Sequence, residues 1–182
     1  MKNKIYSFAL TGIVAASSLL TSTVFAADGN INITGEITGT TCTVKGSGAN
    51  GDVAVTLDTA STHALSAQGE TAGFKPFNIT LSSCSAASTV KAGFEVGPNT
   101  DLVSGRLNLT GAGTAGVAGN VQLQLRNSDS SPIKIGDNST VTSAPLDAGG
   151  AAVLSYQVGY YATNAATPGT ANSAVTYSIV YQ

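Results

Sequence analysis

One histidine, two cysteines and ten scattered carboxylates are the residues of this chain with reactive chemistry to offer. Hydrolysis through a serine nucleophile needs a base, and His63 is the sole candidate. It stands in "STHAL", a turn-like stretch without a nucleophile elbow, and reads as a solvated loop histidine. Nine of the ten, Glu36, Asp52, Asp58, Glu70, Glu95, Asp101, Asp129, Asp137 and Asp147, come singly after the first 30 residues. Any two could meet as a glycosidase pair, but most stand in turn sequences, where Asp caps or solvates. Metal centres need clustered His, Cys or Asp, and none has the spacing. "GAGTAG" lacks the strand before it and the helix after it that a dinucleotide site requires. The expectation is a protein that is not an enzyme and uses no cofactor.

The first 26 residues read as a secretory signal peptide: Lys2 and Lys4, an apolar run, then Val24 and Ala26 at the small-residue positions of a cleavage site after Ala26. A membrane anchor is the competing reading, weakened by Thr11, Ser17, Ser18, Thr21 and Ser22 within the run. The mature chain from Ala27 is long enough for one core. Losing Lys2 and Lys4 leaves six basic against ten acidic residues, a net charge of −4. That balance excludes nucleic acid and a polybasic membrane contact as partners. In an oxidising compartment, Cys42 and Cys84 are most simply a disulfide; a metal site or a reactive thiol are the alternatives.

The elements that must position these residues are strands. Short alternating runs follow one another between clusters of Gly, Asn, Asp, Ser and Pro: "NINITGEITG", "DVAVTL", "PFNITLSSC", "TVKAGFEV", "SGRLNLTG", "NVQLQLRN", "SPIKIGD" and "AVLSYQVGYYA". "TASTHALSAQG" has room for one helical turn, and "GAGTAGVAG" reads as a loop. Such spacing predicts an all-β sandwich. The chain ends on "AVTYSIVYQ", where Val175, Tyr177, Ile179 and Tyr181 share one face. An apolar strand at a terminus is an edge that invites pairing unless something covers it.

These residues carry a resemblance. "GEITGTTC", with Cys84 closing "FNITLSSC", and the final "YYATNAATPGTANSAVTYSIVYQ" resemble the type 1-like fimbrial subunits of the bacterial chaperone–usher pathway. Gly169 stands fourteenth from the end and Tyr181 is penultimate, as in that family's closing segment. The resemblance implies an incomplete immunoglobulin-like β-sandwich lacking its last strand, with a groove beside the C-terminal strand. A periplasmic pilus chaperone, and then the N-terminal extension of the next subunit, would fill that groove as a donor strand. Carried onto this sequence, Gly29, Ile31, Ile33 and Gly35 are the donor face. Gly169, Val175, Tyr177, Ile179, Tyr181 and Gln182 are the acceptor and chaperone-contact residues. The implied division is a signal peptide at 1–26, an extension at 27–39 and a pilin domain at 40–182. From alternation alone, residues 29–35 equally suit the first strand of their own sandwich. The extension before Cys42 is shorter than the family's usual one.

Three functions compete. The first is a structural subunit of a surface fimbria, partnered by copies of itself or related subunits, a chaperone and an outer-membrane usher, exported through the periplasm to the cell surface. The second is a minor tip or adaptor subunit of the same fibre. The third is a secreted carbohydrate-binding sandwich, for which Tyr160 and Tyr161 are the only adjacent aromatic pair.

Overall fold

Two sheets face each other in the computed structural model, which describes residues 32, 34, 42–46, 48, 51–85 and 88–182. The chain divides into two units, Met1–Ile37 and Thr38–Gln182. Of the first, Asn32 and Thr34 are described, and both are exposed. The run "NINITGEITG", with Gly29, Ile31, Ile33 and Gly35, otherwise lies outside the described residues, as does the signal segment.

The strands of the second unit are β1 (Thr43–Lys45), β2 (Thr71–Ser82), β3 (Thr89–Phe94), β4 (Leu107–Asn108), β5 (Val121–Asn127), β6 (Ala144–Pro145), β7 (Ala152–Ala162) and β8 (Tyr177–Tyr181). They form a five-stranded sheet in the order β1-β2-β7-β5-β4 and a three-stranded sheet in the order β6-β3-β8. All these pairs are antiparallel. A 3-10 turn at Thr62–Leu65 supplies the helical turn expected in "STHAL", with His63 exposed on it.

Alternation explains which side chains meet. Ile79 and Leu81 of β2, Leu123 and Leu125 of β5 and Leu154 and Tyr156 of β7 point inward from the large sheet. They close on Val90, Ala92 and Phe94 of β3. Tyr156 sits at the centre: its hydroxyl accepts the backbone N–H of Ala92 at 3.0 Å, and its ring meets Phe94 edge-on at 5.2 Å. That hydroxyl therefore costs no unpaired buried dipole, and it ties the two sheets together. Burial pushes the Tyr156 phenol up from its ordinary pKa.

Cys42 and Cys84 are bonded, with their Cα atoms 4.2 Å apart. The register gives the reason. Thr43 of β1 lies opposite Ser82 of β2, which brings the two cysteines together just beyond the end of that ladder. The bridge holds the three-residue edge strand β1 to the rest of the sheet.

Three expected strands are shorter than their alternation. "SGRLNLTG" pairs only over Leu107–Asn108. In "SPIKIGD", Ile133 and Ile135 are buried but the run makes one isolated bridge, Pro132 to Arg126. "DVAVTL" is extended and pairs with none of the strands named above. In each case alternating burial runs on past the stretch that is paired in register with those strands, and a ladder requires both.

Candidate acceptor groove

The run "DVAVTL" and the last strand face each other across a groove of about 1000 Å³ lined by described residues of both. One wall is residues 52–57, where Val53, Val55 and Leu57 are half-buried and alternate with exposed Asp52, Ala54 and Thr56. The other wall is residues 171–181, where Ala171, Ser173, Val175, Tyr177, Ile179 and Tyr181 are half-buried in the same rhythm. The floor is the core itself: Ile79, Phe94, Leu123 and Leu125 line the groove from below. Strand β8 pairs with β3 along one edge, and among the described residues no strand pairs with its other edge. Two period-two walls over an apolar floor, beside a sheet edge that no strand of the described residues pairs, have the form of a sandwich one strand short.

The walls are tied at one end. The Tyr177 hydroxyl donates to the carbonyl of Gly51 at 2.5 Å. The Tyr181 hydroxyl accepts the N–H of Cys42 at 3.1 Å. Partial burial, with Asp52 nearby, raises the pKa of Tyr177, so this phenol stays protonated and able to donate at neutral pH. Farther along, beyond Leu57, Tyr160 and Ala171, a smaller cavity of about 270 Å³ adjoins the groove and shares those three residues.

Of the acceptor residues read from the sequence, Val175, Tyr177, Ile179 and Tyr181 line the groove. Gly169 and Gln182 do not. Gly169 borders the smaller cavity, where its backbone runs against Val117 and Ala118 so closely that a Cβ would stand 2.3 Å from the Ala118 nitrogen. Gln182 finishes the β3–β8 ladder: its N–H donates to the Thr89 carbonyl, and its own carbonyl accepts from the N–H groups of Ser88 and Thr89.

Sequence reasoning missed the hydroxyl ties, because a tyrosine in an alternating run signals only an aromatic face. It also missed Asn127. This buried amide donates to the Ser131 hydroxyl and the Thr140 carbonyl and accepts from the Thr142 N–H, which organises the loop after β5. No motif marks it; its partners lie 4 to 15 residues away in an irregular loop.

An immunoglobulin-like sandwich one strand short, with the vacancy beside its C-terminal strand, is the fold of chaperone–usher pilus subunits. Two solved structures align with it over nearly their whole length. One is the subunit of a chaperone–usher pilus (TM-score 0.59, 20% identity, 88% of this chain and 99% of the other). The other is the P pilus rod subunit PapA (TM-score 0.58, 18% identity, 78% and 99%). Residues 57–182 match the family model of the type-1 fimbrial protein, A. Relatives in sequence include the major fimbrial subunit SMF-1 of Stenotrophomonas maltophilia, 42% identical over 86% of this chain and 94% of the relative. The F17 fimbrial protein of Escherichia coli is 38% identical over 95% and 97%. The chain belongs to the type-1 fimbrial protein family, a family of structural fimbrial subunits.

Proposed function

We propose that the chain builds a bacterial surface fimbria by donor-strand exchange. The groove between residues 52–57 and β8 is the acceptor site, and the observation that supports this reading is the matched alternation of its two walls. A strand laid between them gains main-chain hydrogen bonds from the β8 edge and drops alternate side chains onto the apolar floor. Gly29, Ile31, Ile33 and Gly35 form the donor face. Burying Ile31 and Ile33 would each contribute about 2 to 3 kcal/mol. A periplasmic chaperone strand occupies the groove first, and an outer-membrane usher exchanges it for the extension of the next copy. The mature chain thus passes through the periplasm to the cell surface and serves adhesion as a structural unit, without turnover.

Replacing Ile33 by Asp tests the assignment. A charge on the donor face has no partner in an apolar groove, so fibres should fail while the subunit–chaperone complex accumulates at wild-type yield. Fibres of normal length from that variant would contradict the donor role.

A further inference from the structure

The chain has two arginines, Arg106 and Arg126, and both lie flat on aromatic rings on the outward face of the five-stranded sheet. Arg106 covers Tyr161 at 3.7 Å and Arg126 covers Phe74 at 3.7 Å. The register sets them side by side. Tyr161 lies opposite Gln122, Gly159 lies opposite Gln124, and the Phe74 ring rests over Gly159. The two platforms therefore stand two residues apart along β7, about 7 Å by strand geometry. Each guanidinium is oriented by a nearly buried amide: Arg106 Nε donates to Gln122 Oε1 at 3.0 Å, and Arg126 Nε donates to Gln124 Oε1 at 3.1 Å.

Neither arginine makes an ion pair; among the described residues the one salt bridge is Lys75 to Asp58. That is unexpected in a chain with excess acid. Asp101, the carboxylate nearest in the network, accepts from Gln122 and Ser104 instead. What this face offers outward is donors: both Nη groups of Arg106 and Nη1 of Arg126, whose Nη2 reaches the Thr71 hydroxyl at 3.5 Å. Arginine forks held in place without a carboxylate suit planar, acceptor-rich anions.

We propose that this face binds an acidic glycan, a chain of sugars bearing carboxylate or sulfate groups. Two anionic groups on neighbouring sugars can engage the two guanidinium groups. A second copy of the chain is a poorer occupant, because most carboxylates among its described residues are already engaged. Asp58 pairs with Lys75, Glu95 accepts from Ser178, and Glu70, Asp101, Asp129, Asp137 and Asp147 each cap their own turns. A single site of this kind is weak. Taken together with the fibre reading, its repetition along a fibre multiplies the binding through effective concentration.

The test is calorimetric titration of the isolated full chain with a sulfated hexasaccharide and with its desulfated counterpart, at low and high salt. Binding of the sulfated form alone, weakened by salt, is expected. Arg106→Gln and Arg126→Gln should each lower affinity roughly tenfold, and the double lysine variant should lose a comparable factor because the fork geometry is gone. Lys134→Gln, a cation elsewhere, should change nothing. Should a glutamine variant fail to fold, the Nε–H resonances of Arg106 and Arg126 in the wild-type chain must shift on titration. Equal binding of both hexasaccharides, unaltered affinity in the arginine variants, or an effect of those variants on fibre-to-fibre association alone would each overturn the proposal. Fibre yield from the same variants is read separately. Normal fibres without glycan binding sink this site and leave the assembly reading intact.

Discussion

The hydroxyl of Tyr181 and the backbone N–H of Cys42, 139 residues apart in sequence, share a hydrogen bond of 3.1 Å. With the bond from Tyr177 to the Gly51 carbonyl, it ties the last strand to the chain flanking β1, next to the disulfide. That end of the groove is therefore fixed by polar contacts between its two walls, while farther along the Tyr160 hydroxyl donates to the Asp58 carbonyl and the Ser173 hydroxyl to the Asn108 carbonyl.

Removing those hydroxyls should loosen that end without emptying the core. Tyr177→Phe and Tyr181→Phe are each expected to lower stability by about 0.5 to 1.5 kcal/mol, the usual net worth of such a bond. Urea denaturation of each variant measures it. Midpoints matching the wild type would mean that the ties are incidental.

Asp101 makes the fold sensitive to acid. Hydrogen bonds from the Gln122 amide, the Ser104 hydroxyl and the Val103 N–H lower its pKa to about 2, from an ordinary 3.8. A carboxyl held below its unfolded value contributes stability that is full above that value and lost as pH falls through the folded one. The urea midpoint should therefore drop between pH 4 and pH 2, and Asp101→Asn should flatten part of that drop. Glu70, Asp129 and Asp137, lowered by bonds from Ala67, Ser131 and Ser139, add to it. An identical acid profile in Asp101→Asn would refute the assignment.

Gly169 is required by space. With Val117 and Ala118 pressed against it, an added methyl forces two backbone segments apart. Gly169→Ala should cost about 1 to 3 kcal/mol, the range seen for overpacked sites. It should also disturb the bridge between Val117 and Thr170. Thermal unfolding measures the first effect and amide exchange at Ala118, whose N–H bonds to the Thr170 carbonyl, measures the second. A midpoint at or above the wild type would contradict it.

Much of this was legible in the sequence because it depends on local alternation. The inward sets of β2, β5 and β7 and the half-buried face of residues 175–181 follow from period two alone, and the cysteine pair follows from the compartment implied by residues 1–26. "DVAVTL" shows the limit: its alternation predicts which side chains turn inward, but not that the run would form a wall of the groove and join none of the named strands. Contacts that depend on topology left no trace. Tyr181 reaches Cys42, Arg126 covers Phe74 and Asn127 holds its loop only once distant strands are in register. The alternation of Gly29, Ile31, Ile33 and Gly35 is legible as a pattern, and the donor role proposed for it is tested by Ile33→Asp.

The central claim is that the groove is a binding site for a strand. Its most direct test is thermal unfolding, followed by circular dichroism, of the chain from Thr38 onward, with and without a peptide of residues 27–37 and a scrambled control. Tight binding to the folded state alone must raise the midpoint in proportion to the logarithm of peptide concentration. A large rise with the native peptide, absent with the scrambled one, is the predicted result. A midpoint already high and indifferent to both peptides would mean that the sandwich is closed, and would contradict the account.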